Sequence, residues 1–492
     1  MACQLAGGLK SLGAAKGDRV ILYLKNGIDF VVAVHACFKL GLIIVNANPL
    51  DAPKEMIYKI NDSGAKIGFY DDSSREALDV ALSSGQCELD YLIDCDNRCE
   101  SRLHAGVVNE VFWQAQLIQH RPFGDPITAL SPDETIVLQY TGGTTGIGKG
   151  CRVTHRNYLA KAMGAAEFYK PAIGDSEWRI VLSIPLSHAY GFTQVITGHL
   201  VTGGSMILLK CKPSLEDMLA AIQKYRPTVW PVVPVILNTL ADRTDLIEKY
   251  DLSSLKSIVC GASPLYPSTI EAVEAATGAK ITEGYGLTEV VSTVTGVPFG
   301  IHKPGSVGIP FPNIDVLVVD KETGEHPLPL GDHGEMIVRS IQNTPGYWNK
   351  PEETAATIRD GWLYTGDIGY FDDRGLLYVG GRIKDLIIVS GFNVYPMEID
   401  EEIQALPDVV EVCTIGVSDK KRGEVPKSYI VLKQGSTLTF DEIRDYLQDK
   451  LVRYKIPHQC EFVDEIPKTK NNKPDKAKLR AMHDARLEQG SS

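Results

Sequence analysis

The chain has 492 residues, 44% of them hydrophobic and 23% charged, the balance of an ordinary globular protein too long for a single core. Its net charge of −12 argues against non-specific nucleic-acid binding, which needs a basic face. The 10 cysteines are scattered without CxxC pairs or histidines at zinc spacing, so they read as reduced core thiols of a cytoplasmic protein. No signal peptide opens the sequence and no apolar run is long enough to span a bilayer, which leaves only peripheral membrane contact open.

Taken in order, the chain alternates strand and helix patterns. The start, Met1-Ala-Cys-Gln-Leu5, reads as the middle of an amphipathic helix, so the first domain is expected to be shortened at its beginning. Gly17–Leu24 is a turn and a strand, Ile28–Leu40 a helix closed by Gly41, and Leu42–Val45 an apolar strand. Further strands are predicted at Lys66–Tyr70, Thr135–Gln139, Val181–Ile184, Ser205–Leu209, Thr228–Pro231 and Ser257–Cys260. Strands separated by helices of this length imply parallel pairing through crossovers, hence α/β layers. Near residue 380 the texture changes. About a hundred residues follow with two amphipathic helices, Met397–Leu406 and Phe440–Leu451, and several strands, read as a small α+β domain with its own core. The expected organisation is α/β: a large multi-layer N-terminal domain over 1–381 with mixed and parallel sheets, a hinge at 382–385, and a small mobile domain over 386–492.

Between two of these strands lies Tyr140-Thr-Gly-Gly-Thr-Thr-Gly-Ile-Gly-Lys149-Gly150. Glycines let backbone N–H groups approach an anion closely, threonine hydroxyls add donors, and a lysine supplies mobile positive charge. The composition suits a polyphosphate, the alternative being a flexible Gly/Thr linker. Gly143-x4-Gly148-Lys149 nearly matches the nucleoside-triphosphatase loop, but that motif continues with Ser or Thr and runs straight into a helix. Here Gly150 follows, then extended-looking Cys151–Thr154, and a helix is expected only after Thr154–Asn157, over Tyr158–Phe168. The triphosphatase reading fails on both counts.

Four downstream motifs follow this loop: Tyr285-Gly-Leu-Thr-Glu289, Tyr364-Thr-Gly-Asp367, Gly381-Arg-Ile-Lys-Asp385 and Pro467-Lys-Thr-Lys-Asn-Asn-Lys473. Their order and spacing resemble the adenylate-forming superfamily of acyl-CoA synthetases, luciferase-like enzymes and peptide-synthetase adenylation domains. The resemblance runs from about residue 5 to residue 480, and Glu283–Glu289 and Val389–Pro396 are most similar to fatty acyl-CoA synthetases. It implies ATP-dependent activation of a carboxylic acid, here a medium- or long-chain fatty acid, to acyl-AMP, followed by transfer to coenzyme A. The alternatives it leaves are an aryl or other organic acid, an acyl-AMP ligase loading a carrier protein, and an inactive nucleotide-binding homologue.

The resemblance also implies roles residue by residue. Thr141, Gly142, Gly143, Thr144, Thr145, Gly146 and Lys149 would hold the β- and γ-phosphates, with Gly148 standing where the family usually has proline, so a looser loop is expected. Gly284, Tyr285 and Gly286 would carry the adenine, with Gly261 in Gly261-Ala-Ser-Pro264 as another wall. Thr288 would meet the α-phosphate, and Glu289, with Thr144, would hold Mg²⁺, which prefers few protein ligands plus phosphate oxygens. The competing reading of Thr288 and Glu289 is a helix N-cap with an acid in its first turn. Asp367 and Arg382, 15 positions apart, would bind the ribose, or else be a turn aspartate and a surface cation. Lys384 would be the hinge. Lys473 would stabilise charge between carboxylate and α-phosphate, with Asn472 where the family has glycine, although Lys468, Lys470, Lys476 and Lys478 also allow a merely solvated run. His188, in Ile184–Phe192, would gate the acyl site or be an ordinary core histidine. Gly391, Phe392 and Tyr395 would line the pantetheine path.

Overall fold

The computed structural model describes every residue except 97–106, 114–116, 125–129, 142–147, 175, 194–200, 210–212, 262–264, 266, 300, 302, 304, 470–472 and 491–492. The chain divides into two compact units, one of Met1–Lys303, Gly308–Asp315 and Val338–Leu363, the other of Pro304–Val307, Val316–Ile337 and Tyr364–Ser492.

Two sheets lie wholly within the first unit. Strands β1 (Arg19–Tyr23), β2 (Ile43–Asn46), β3 (Ile67–Tyr70), β4 (Leu89–Asp94), β5 (Val107–Phe112), β6 (Thr135–Tyr140) and β7 (Gly150–Thr154) lie in the order β5-β4-β3-β1-β2-β6-β7. All neighbours are parallel except β6 and β7, as the helical crossovers require. Helices Pro53–Ser63 and Arg75–Ser83 bury Met56, Ile60, Leu78 and Leu82 against Ile21, Val45 and Leu89 of one face. Strands β8 (Arg179–Leu182), β9 (Ser205–Leu208), β10 (Val229–Val232), β11 (Ser257–Gly261) and β12 (Lys280–Gly284) form the second sheet, order β12-β11-β10-β8-β9, again parallel. The inner strands β8, β10 and β11 are nearly continuous apolar runs, the mark of strands covered on both faces, while the edge strands β9 and β12 are less buried. The predicted strands are all present, shifted by one or two residues.

One helix begins earlier than expected. Thr154 accepts from Asn157 N–H, and the Asn157 side chain in turn accepts from Thr154 N–H at 2.9 Å, so the helix runs His155–Ile173. The reciprocal cap extends a turn that the apolar pattern alone does not show.

Strand 362–371, in the second unit from Tyr364 onward, pairs antiparallel with 377–382. Strands 387–389, 392–394, 409–419, 423–432 and 459–462 form a further sheet. Helices Pro396–Gln404 and Phe440–Gln448 cover one face through Ile399, Ile403, Ile443 and Leu447. A third helix, Lys476–Gly490, places Leu479 with Ile415, Val425 and Tyr429. By composition this stretch is only a basic tail, because its charges outnumber the few apolar residues that dock it.

Candidate active site

In the first unit the glycine-rich loop joins the two strands of the β6–β7 hairpin, with Tyr140 opposite Gly150. Its neck is closed twice: Thr141 N–H donates to the Lys149 carbonyl at 3.0 Å, and Lys149 N–H donates to the Thr141 hydroxyl at 3.2 Å. A Cβ on Gly148 would stand 2.4 Å from the Thr141 carbonyl oxygen, so only glycine fits there. At its neck, then, the loop is tight rather than loose, and Gly148 is the reason. Gly142, Gly143, Thr144, Thr145 and Gly146 lie outside the described residues.

Gly261 and Gly284 sit side by side across the β11–β12 pair, a stretch of sheet without side chains. Beyond β12 the chain doubles back, and the N–H groups of Val294 and Thr295 both donate to the Tyr285 carbonyl, at 2.8 and 3.1 Å. A Cβ on Gly284 would lie 2.7 Å from the Thr295 carbonyl oxygen, and one on Gly286 only 1.5 Å from that of Ser292, so the reversal itself demands both glycines. Thr288 and Glu289 open a short 3₁₀ turn whose N-cap is Leu287, without a side-chain cap, so Thr288 is not a capping residue. Val291 and Ser292 follow with φ of 52° and 89°, a strained pair in the left-handed region. For a β-branched residue this costs on the order of 1–3 kcal/mol and needs its surroundings to enforce it.

A strap, residues 344–348, stitches these pieces together. Thr344 N–H donates to the Glu289 carbonyl at 2.7 Å, and the Thr344 hydroxyl donates to the Arg152 carbonyl at 2.7 Å. Arg152 N–H donates to the Gly346 carbonyl at 3.0 Å, and Trp348 N–H to that of Gly150 at 2.7 Å. The Tyr347 hydroxyl donates to Glu289 Oε1 at 2.8 Å, while Lys149 Nζ stands 4.8 Å from the Tyr347 ring centroid. Burial first, and then the Glu289 charge, push the Tyr347 phenol well above its usual range, so it remains a protonated donor. Sequence reasoning misses Tyr347, because Thr344-Pro-Gly-Tyr347 is composed like a plain turn. An aromatic pair directly after Pro-Gly is the only signal.

Glu289 offers one carboxylate, with Oε1 taken by Tyr347. That suits a hard cation that brings its other ligands from phosphate and water, and among the described residues no group of three or more acidic, histidine or cysteine side chains gathers into a metal cage. Glu289 therefore fits Mg²⁺, while Thr144 is not described.

His188 plays a structural part. Its Nδ1 accepts from Tyr190 N–H at 3.2 Å and caps the short helix Ala189–Gly191. The Tyr190 hydroxyl donates to the Val259 carbonyl at 2.6 Å. Val259 also lines an apolar recess with Ala165, Tyr169, Trp178, Val229 and Pro231.

In the second unit Asp367 and Arg382 are direct cross-strand partners, with Arg382 Nε 2.7 Å from Asp367 Oδ1. The Asp367 side chain is only 6% exposed against 50% for Arg382, so this is more than a turn aspartate and a surface cation. Lys473 sits in a closed turn, where Thr469 N–H donates to its carbonyl at 2.7 Å and Asp475 N–H to that of Pro467 at 2.7 Å. Its side chain reaches solvent yet lies in crowded surroundings. Desolvation, then Arg382, lower its pKa below the ordinary lysine range, while Asp367 raises it. Lys384, in the 3₁₀ turn Ile383–Asp385, is likewise lowered by desolvation first. The structure thus brings Asp367, Arg382, Lys384 and Lys473 into one electrostatic cluster. Gly391, with φ of +87°, completes a two-residue turn, and Phe392 beyond it is exposed and stacked on Tyr454 at 4.7 Å. Tyr395 stacks on His333 at 4.7 Å.

Two family descriptions match the sequence: AMP-binding enzyme over residues 1–348 and AMP-binding enzyme C-terminal domain over 398–473. A long-chain-fatty-acid–CoA ligase of Bacillus subtilis is 36% identical over 95% of this chain and 86% of its own. A 4-coumarate–CoA ligase of Nicotiana tabacum is 33% identical over 97% of this chain and 87% of its own. The solved structure of an anthranilate CoA ligase with anthranoyl-AMP superposes with a TM-score of 0.89 at 26% identity, over 99% of this chain and 91% of that one. The chain belongs to the AMP-binding enzyme family and, within the adenylate-forming superfamily, is an acid–thiol ligase.

Proposed function

We propose that the protein activates a medium- or long-chain fatty acid with ATP and Mg²⁺ and passes the acyl group to coenzyme A. The observation that carries the reading is the presence of two charge clusters, Lys149–Tyr347–Glu289 and Asp367–Arg382–Lys473, made of the groups that the chemistry needs. In the first step the carboxylate oxygen bonds to the α-phosphorus and the bond to pyrophosphate breaks. Lys149 and the loop donors would neutralise the leaving group, Lys473 the charge gathering at the α-phosphate, and Asp367 would bind the ribose hydroxyls. Bound Mg²⁺ would supply charge compensation at the phosphates, held on the protein side by Glu289. In the second step the thiol sulfur attacks the acyl carbon, AMP leaves, and the thiol proton passes to solvent.

The aliphatic chain is supported by the fatty-acid ligases among the relatives. Similarity to the coumarate and anthranilate ligases supports a second reading, an aryl acid. Pyrophosphate release and CoA-thioester formation, measured across fatty acids of graded length plus coumarate and anthranilate, test both. The expected result is a maximum among the longer fatty acids. A maximum on the aryl acids overturns the aliphatic reading, and a product that stops at acyl-AMP overturns CoA as acceptor.

A further inference from the structure

The loop lysine and the carboxylate of this site carry opposite charge, yet they do not pair with each other. Tyr347 stands between them, its ring under Lys149 Nζ at 4.8 Å and its hydroxyl on Glu289 Oε1 at 2.8 Å. Its backbone is held in place. Cys151 and Tyr347 form a β-bridge, Tyr347 N–H donates to the Thr354 hydroxyl at 2.9 Å, and the backbone on either side is bonded to β7. Through Thr344 the same strap fixes the backbone of Glu289, and Cys151 Sγ lies 3.7 Å from the Thr288 carbonyl oxygen.

We infer that Tyr347 is a positioning residue for nucleotide binding: it spaces Lys149 from Glu289, keeping the lysine turned toward the leaving phosphates and the carboxylate toward the cation. A direct ion pair would satisfy both charges internally, and ATP would then have to break it. A cation over an aromatic face is held without being neutralised, and a phenol hydrogen bond leaves the carboxylate its charge and its second oxygen. The arrangement is preorganised in the sense that matters for nucleotidyl transfer, with the charges in place before the ligand arrives. The inference rests on the proposed nucleotide chemistry of the site, not on the identity of the acid.

The test separates the two halves of the side chain. Tyr347→Phe keeps the ring under Lys149 and removes the bond to Glu289, and Tyr347→Leu removes both. Calorimetric titration of the full-length protein with ATP, at low and saturating Mg²⁺ and without acid, is the readout. For Tyr347→Phe we expect the Mg²⁺ concentration at half-saturation to rise about three- to tenfold, with ATP affinity at saturating Mg²⁺ within about twofold of the parent. Tyr347→Leu is expected to lose affinity at both Mg²⁺ levels. In a Glu289→Gln background, Tyr347→Phe should add no further shift, because the hydroxyl acts through that carboxylate. An unchanged Mg²⁺ requirement in a folded Tyr347→Phe protein overturns the inference, and so do additive shifts in the double variant. Parent protein that binds ATP normally while either result is seen leaves the proposed function standing; parent protein that binds no ATP fails that function instead. If Tyr347→Leu does not fold, the Phe variant alone decides.

Discussion

Lys473 titrates under two opposed neighbours, and that makes its role measurable. Arg382 disfavours its charged form and Asp367 favours it, on top of a desolvation that lowers the pKa. In the role proposed for it the ammonium is the active form, so the adenylation rate should fall on the alkaline side at a pH below the ordinary lysine range. Asp367→Asn should move that limb lower still, and Arg382→Gln should move it higher. Coinciding limbs in pH profiles of adenylation by the three proteins would show that the cluster does not tune this lysine. Lys473→Ala should cost adenylation roughly 100-fold or more while sparing thiolysis of preformed acyl-adenylate. Equal loss in both halves, read by product analysis, would place the critical lysine elsewhere. At the phosphate loop, Gly148→Ala would push a methyl group against the Thr141 carbonyl and cost about 1–3 kcal/mol, visible as a lower Tm and a raised KM for ATP. Residue by residue, the sequence discloses chemistry that uses rare composition: a Gly-Thr-Lys cluster, or an aspartate in a Thr-Gly-Asp turn. It hides Tyr347, whose role comes from a strap joining strands far apart in sequence, which no local pattern records.

At the scale of elements, the sequence reading locates the apolar strands of the two parallel sheets and misses β4, β5 and β12, whose residues mix polar and apolar side chains. The helix Lys476–Gly490 escapes that reading. It docks through few residues, and its charged and polar groups turn to partners outside the helix: Arg480 pairs with Asp385 at 2.9 Å, and His483 Nδ1 lies 3.2 Å from Lys427 Nζ. Helix Pro396–Gln404 carries the opposite problem, a carboxylate in the wrong place. Asp400 has an unpartnered buried Oδ1, and burial raises its pKa to about 6, against the pull of Lys476 and Thr414. A carboxyl whose folded pKa is raised stabilises the fold at low pH and loses that contribution as pH climbs through the folded value. Asp400→Asn should therefore be nearly neutral at about pH 4 and stabilising at about pH 8, by on the order of 2 kcal/mol. A Tm difference that does not grow between those pH values in thermal melts would show that Asp400 is charged without penalty.

For the molecule as a whole, the glycine-rich loop and Glu289 belong to one compact unit and Asp367, Arg382 and Lys473 to the other. Motif order discloses the presence of a second unit, while its extent depends on packing: it takes in the hairpin 364–382 as well as the residues after 386. The proposed pivot at Lys384 lies inside it. Turning there would have to part the stack of Tyr395 on His333 at 4.7 Å and the Arg480–Asp385 pair. Such a stack contributes about 0.5–1.5 kcal/mol, little enough for a working rearrangement to break and reform. Lys384→Pro, which fixes φ, should then leave acyl-adenylate formation largely intact and suppress CoA-thioester release, with acyl-AMP accumulating. Thioester formation at the parent rate would remove Lys384 from the pivot.

Cys151 lies on β7 beside the proposed nucleotide site, fully enclosed, with burial and Glu289 holding its thiol far above the thiolate range. The half-buried Cys3 is by contrast open to reagents. Alkylation should thus mark the periphery first and leave turnover untouched, and modification of Cys151 would be a timer for opening of the strap. Nucleotide should slow that clock, so the site carries its own chemical reporter for occupancy.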